Sequence, residues 1–170
     1  MSYDAPKHCA HCGGLLTAVA EKPGQRLCTK AGCGRITYLS PIPVVAAIVE
    51  RDGHIILVRG HGWPESWYGL VTGFLEPEES PESAARREVA EELGLAVQSS
   101  RLIGAYPFAR MNQVIIAYHM PAAGEIVLDK TELAGFKAVP IERLRPWDFG
   151  TGAAVRDFLA ERARIAVSAG

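Results

Sequence analysis

The sequence predicts an α+β fold: a mixed β-sheet sandwiched between α-helices, preceded by a small cysteine-built ribbon. Three observations predict it. All four cysteines fall between Cys9 and Cys33. Short apolar runs bounded by turn signals crowd the middle of the chain. Helix start and stop signals bracket residues 81–93, and a second helical pattern follows Thr151. A length of 170 residues holds one medium domain with its own core plus a small appended module. The expected boundary gives a ribbon over 1–40 and a larger domain over 41–170.

The ribbon comes first. Cys9-x2-Cys12 and Cys28-x4-Cys33 are two paired knuckles, each with glycines beside it (Gly13, Gly14, Gly32, Gly34) that permit tight turns. Such pairs read as a tetrahedral four-cysteine zinc site. Two disulfides are the rival reading, and the start MSYDAPKHC, without the apolar stretch of a secretion signal, argues against them. His8 and His11 are candidate substitutes for one ligand. A site closed by four cysteines leaves no position for water, so the expected Zn²⁺ is structural, holding together a segment too small to bury a core.

Pro41 and Pro43 mark a connection, after which Val44 to Val49 is a continuous apolar run of strand length. Asp52-Gly53 is a hairpin signal and His54 to Arg59 reads as the returning strand. Gly69 to Thr72 leads into a glycine loop. Ser80 caps a helix, with Pro81 at its first position and Gly94 as its stop. Further strands are expected near Leu102 to Tyr106, Val114 to Met120 and Phe136 to Val139, and one helical turn over Ile141 to Leu144. Thr151 is the expected cap of a final amphipathic helix using Val155, Phe158, Leu159 and Ile165. His119 and Trp147 read as structural.

The first helix carries the chemistry. At a hundred degrees per residue, Ala85, Val89 and Leu93 form an apolar stripe, and Glu88, Glu91 and Glu92 cluster along one edge of it. Three carboxylates are therefore expected at the rim of a buried face. Like charges at such spacings repel by roughly 0.2–0.5 kcal/mol per pair even on an exposed helix, so a cation should compensate them. Mg²⁺ or Mn²⁺ prefers carboxylate oxygens and also binds phosphates, which points to metal-assisted attack on a diphosphate. A solvated acidic face paired to Arg86 and Arg87 is the plain alternative.

Gly73 to Leu95 reads GFLEPEESPESAARREVAEELGL, or G-x5-E-x7-R-E-U-x-E-E-x-G-U with U aliphatic. At background residue usage the seven fixed matches arise by chance about 10⁻⁹ to 10⁻⁸ of the time per starting point. The stretch resembles the signature of the Nudix hydrolases. The resemblance implies the Nudix fold, with the metal held by loop and helix. It matches Glu88 and Glu92 to metal ligands, Glu91 to a further ligand or the base, and the Thr72 carbonyl to a contributor. Arg87 matches an arginine that orients a glutamate, here Glu79.

A ribbon directly ahead of such a domain resembles the NADH pyrophosphatase branch and a related group acting on FAD or ADP-ribose. Arg35 to Pro41 is similar to the tyrosine-proline junction that closes the ribbon in both. Gly104 to Asn112, GAYPFARMN, keeps the aromatic-Pro-Phe centre of the branch's downstream motif without its Ser-Gln. The expectation is a specificity broader than that of the dedicated NADH enzymes, in a chain without their additional N-terminal domain. By the same resemblance Phe74 stacks on a ring, Glu132 is a further metal ligand from a loop, and Tyr38 reaches a base from the partner subunit of a homodimer. Tyr106 and Phe108 join the substrate site. Ordinary core packing is the alternative for Phe74, Tyr106 and Phe108.

The net charge of −1 and the lack of a Lys/Arg run give no electrostatic footprint for nucleic acid, a capped RNA end excepted. No apolar run reaches membrane-spanning length, and a cytoplasmic protein is expected. The sequence therefore points to hydrolysis of a dinucleotide or nucleotide-sugar diphosphate to two phosphomonoesters. NAD(H) is the first choice, followed by ADP-ribose, FAD and NAD-capped RNA. The reading from another class is a ligand-sensing regulator that binds without cleaving.

Overall fold

A strand that is apolar at every position needs both faces of its sheet covered, and Val44 to Val49 meets that condition. In the computed structural model, which describes residues 3–168, all six of these residues are buried. They lie in β4 (Ile42–Arg51). Val45, Ala47 and Val49 join one hydrophobic cluster, whereas Ala46 and Ile48 join another. Alternation along one strand thus serves two layers.

Ahead of it, β1 (Leu16–Val19), β2 (Lys22–Cys28) and β3 (Ile36–Tyr38) form a three-stranded sheet in that order. By contacts the chain divides into two units. One runs to Ile42 and includes Ala109–Gln113, and the other is Pro43–Phe108 with Val114 onward.

The second unit is built on β4, β5 (His54–Gly60), β6 (Val71–Phe74), α1 (Pro81–Leu93), β7 (Ala96–Val97), β8 (Arg101–Phe108), β9 (Gln113–Ala123), β10 (Leu133–Pro140) and α2 (Gly152–Ser168). The main strand order is β10-β5-β4-β9-β7, with β6 on β4 and β8 on β9. Successive stretches of β4 serve two partners: Val49–Arg51 pairs with β5, and Val44–Ala47 pairs with β6. Helix α1 contributes Ala84, Ala85, Val89 and Leu93 to the first cluster, and α2 contributes Ala154, Val155 and Phe158 to the second. The sheet is sandwiched as expected.

Local signals explain the boundaries. Asp52 and Gly53 both take positive φ, 49° and 73°, which is the hairpin geometry their types favour. The Ser80 hydroxyl accepts the Ser83 N–H at 3.1 Å, and Gly94 closes α1 in the left-handed region at φ 67°. Helix α2 starts directly after Thr151, and the expected single turn is a 3-10 turn over Ile141–Arg143. One boundary differs: β4 begins at Ile42, so Pro43 lies inside a strand. It falls ahead of the Val44–Phe74 pair, where the ladder with β6 asks for no N–H from it. Among the described residues no helix is long and apolar enough to cross a membrane.

Candidate active site

The loop from Phe74 to Ser80 is shaped by one guanidinium. Arg87, on the second turn of α1, reaches back to Glu79 with Nε and Nη2, each at 3.1 Å. Its Nη2 also donates to the Phe74 carbonyl at 3.0 Å, and its Nη1 donates to Glu88 at 2.8 Å and Glu91 at 2.9 Å. Glu79 Oε2 in turn accepts the Glu76 N–H at 3.1 Å. Loop and helix are tied at both ends of the same side chain. The hydrogen bond from Arg87 holds the Glu79 carboxyl below its usual range, and Glu79 correspondingly raises the Arg87 guanidinium.

The carboxylates sit deeper than the helix pattern predicts. Glu92 is buried, with 7 % of its surface exposed. The reason is register: Glu92 falls on the buried stripe with Ala85 and Val89 instead of at its rim, whereas Glu88 stays half-buried beside it. Only Glu91 keeps to the exposed edge. Glu92 Oε2 is buried with no hydrogen-bond partner, which is costly for a polar atom. Burial, followed by the charges of Glu88, Glu132, Asp129 and Glu91, pushes its carboxyl up to about 8. Burial also raises Glu88, against the pull of Arg87.

Two further features complete the acidic cluster. Gly73 lies opposite Val45 in the ladder, and a Cβ built on it would come within 1.9 Å of the Glu88 carboxyl. The missing side chain is what lets Glu88 lie against β6. The segment before β10 docks on the end of α1, the Asp129 N–H donating to the Glu92 carbonyl at 3.0 Å and the Val127 N–H to the Leu93 carbonyl at 2.9 Å. This brings Glu132 within electrostatic reach of Glu88 and Glu92. Asp129 was not anticipated, and no local signal marks it, because its position depends on this docking. An orphaned carboxylate oxygen among several acids, beside a cradle that a Cβ would fill, suits a hard divalent cation.

The other expected residues are dispersed. Thr72 and Phe74 lie on β6 with exposed side chains. Tyr106 and Phe108 pack on the cluster beneath α2, and the Tyr106 hydroxyl donates to Asp157 at 2.8 Å. They are therefore on the face of the sheet opposite the Val89 stripe. Tyr38 ends β3 in the first unit and is exposed. His119 is structural, paired with Glu50 at 2.8 Å and tilted on the Phe158 ring at 4.8 Å. Trp147 packs in the α2 cluster. An open depression of about 440 Å³ near the β4–β5 turn, lined by Arg51, His54 and Phe136 among others, holds none of the expected site residues.

In the first unit the four sulfurs lie within 4.8 Å of one another, with Cys12–Cys28 at 3.5 Å and Cys9–Cys33 at 4.0 Å. Sulfurs at tetrahedral corners around zinc stand about 3.8 Å apart, so the spacing fits. Gly14 leaves the room, since a Cβ there would sit 3.0 Å from the Cys28 sulfur. The Gly14 amide draws the Cys12 thiol down to about 7. His8 and His11 lie outside the group.

Residues 40–159 match the family model described as the NUDIX domain. The chain is similar to the NAD-capped RNA hydrolase NudC of Edwardsiella ictaluri, 30% identical over 132 residues, covering 77% of this chain and 50% of that protein. The same-named protein of Vibrio vulnificus is 30% identical over 145 residues, covering 82% and 53%. The chain thus spans about half the length of these curated relatives. Among solved structures it resembles a NUDIX hydrolase from Nitrosomonas europaea, with a TM-score of 0.74 at 22% identity over 94% of this chain and 93% of that one.

Proposed function

The chain belongs to the Nudix family, and we propose from that premise that it is a metal-dependent hydrolase of the diphosphate bond in a nucleoside diphosphate derivative. The observation that carries the reading is the orphaned Glu92 oxygen beside Glu88 and Glu132. Glu88 and Glu92 would hold Mg²⁺ or Mn²⁺, joined by Glu91, Glu132 and the Thr72 carbonyl. A divalent ion supplies Lewis acidity toward the phosphoryl oxygens when bound.

The chain's own residues do the rest. Arg87 fixes Glu79, Glu88 and Glu91 in one arrangement, so the carboxylates need no reorganisation when substrate arrives. A water attacks one phosphorus, a glutamate takes its proton, and the bond to the bridging oxygen breaks, leaving two phosphomonoesters. Glu91, the exposed member of the three, would either hold a further ion or take that proton.

NAD(H) is our first substrate, with Phe74 as a contact to one of its rings and Tyr38 reaching a base from the partner subunit of a homodimer; Tyr106 and Phe108, expected to join them, pack under α2 instead. ADP-ribose and FAD follow, and NAD-capped RNA is supported by the names of the relatives. A ribbon over 1–40 holding structural Zn²⁺ through its four cysteines, a homodimer, and a cytoplasmic location belong to the same reading. A regulator that binds without cleaving is disfavoured by the full set of signature glutamates. Release of phosphomonoester from NADH, ADP-ribose, FAD and NAD-capped RNA with Mg²⁺ or Mn²⁺ tests the proposal, and failure on all four would refute it.

A further inference from the structure

Arg59, Tyr68 and Lys137 meet on the α2 face of the sheet, apart from the acidic cluster. In β5, Ile55 and Leu57 join the α2 cluster whereas Ile56 and Val58 join the other, so alternation carries Arg59 to the α2 side. In β10, Val139 packs on the α2 cluster, and Lys137 and Gly135 follow it by twos. The register sets Arg59 opposite Gly135 and Leu57 opposite Lys137. Gly135 has no side chain to fill the gap, and a Cβ there would lie 3.9 Å from the Tyr68 hydroxyl and 4.0 Å from Arg59 Nη2. The Lys137 ammonium stands 4.0 Å from the centre of the Tyr68 ring.

This arrangement lacks an anion. Arg59 Nε is buried with no hydrogen-bond partner, and a buried donor left unmet is unfavourable. Among the described residues neither Arg59 nor Lys137 has a carboxylate in an ion pair. Next to Tyr68, Trp67 is exposed and faces the exposed Phe149, their ring centres 5.8 Å apart and tilted by 47°. A guanidinium and an ammonium answer a phosphate. Exposed aromatic rings, Trp67 adjoining Tyr68 in the chain and Phe149 facing Trp67, answer a base. Glu65 and Asp148 flank Trp67 and Phe149 in sequence, so attraction here depends on a specific phosphate contact more than on a general field.

We propose that these residues form a subsite for one nucleotide, with Arg59 and Lys137 on its phosphate and Trp67 and Phe149 against its base. The inference rests on the proposed function only for the expectation that nucleotides are the ligands. The nucleotide has two sources, the mononucleotide half of a free dinucleotide or the first nucleotide of RNA beyond a cap.

Titration of the full chain with AMP, read by tryptophan fluorescence, tests the subsite without any turnover. AMP should quench the signal saturably, and Trp67→Leu should remove most of the quenching. Arg59→Gln should weaken AMP about tenfold and Lys137→Gln about threefold, while adenosine binds weakly and equally to all three proteins. If Arg59→Gln does not fold, Arg59→Lys and Lys137→Gln carry the same comparison. Equal affinity for AMP and adenosine, unmoved by the Lys137 and Arg59 changes, overturns the proposal, as does the absence of saturable AMP binding.

KM values then separate the sources. A rise for NADH and NAD-capped RNA alike in Trp67→Leu assigns the dinucleotide. A rise for the capped RNA alone assigns the RNA nucleotide, and no rise for either overturns the subsite as part of substrate binding. AMP binding by a chain that hydrolyses nothing would refute the proposed function and leave the subsite standing.

Discussion

Arg87 grips Glu79 through two nitrogens at 3.1 Å each, spanning eight residues of sequence to join the glycine loop to the helix that follows it. The same guanidinium holds Glu88, Glu91 and the Phe74 carbonyl. An ammonium has no planar fork with which to repeat these contacts. Arg87→Lys should therefore lower kcat at least about tenfold with KM changed little, because the loss is one of preorganisation. Steady-state kinetics on NADH with saturating Mg²⁺ checks this, and unchanged turnover would show that the loop holds its shape without the fork.

Glu92→Gln preserves shape while removing the charge that a hard cation requires. Turnover should fall by about two orders of magnitude or more with the circular dichroism spectrum intact. Activity within about threefold of the parent under saturating metal would remove Glu92 from the ligand set.

The same variant reports on pH. Without metal, the folded chain keeps the Glu92 carboxyl protonated up to about 8, against 4.5 for the ordinary side chain. The folded state thus binds a proton that the unfolded state releases, and the stability this provides below 4.5 is lost as pH rises through 8. Urea midpoints in chelator should show the parent losing ground to Glu92→Gln between pH 5 and pH 8, and Mg²⁺ at pH 8 should restore the parent alone. Parallel curves for the two proteins would contradict the assignment.

Gly73→Ala tests the cradle. The added methyl would overlap the Glu88 carboxyl, which must swing away and release Arg87. We expect kcat to drop at least about tenfold with a modest fall in Tm. A fully active alanine variant would mean that Glu88 works from another rotamer.

Elemental analysis should give about one zinc per chain, lost in Cys12→Ser or Cys33→Ser, with residues 1 to 40 becoming protease-sensitive. The second unit keeps both hydrophobic clusters and should stay folded. A reduced, metal-free preparation that resists protease in this region would refute the zinc reading.

Tyr38→Ala should raise KM for NADH several-fold and change kcat much less, as loss of roughly 0.5–1.5 kcal/mol of ring stacking on a remote base would. A solution monomer whose variant is kinetically unchanged would remove Tyr38 from the site.

What the sequence determined by itself is local in origin. Ser80, Pro81 and Gly94 set the ends of α1 because caps act within a few residues, and Asp52-Gly53 set the hairpin for the same reason. The spacing of the four cysteines announced their cluster, and the glycine-to-glutamate signature announced the acidic site. Tertiary structure alone decided the rest. Glu92 is buried because β6 and the segment before β10 close over α1. Asp129 joins the acids only through that docking. Tyr106 and Phe108 went to the opposite side of the sheet, under α2, since alternation gives a strand two faces and only the packed helices say which is which. Arg59 and Lys137 are 78 positions apart in sequence, and only the register of β5 on β10 makes them neighbours.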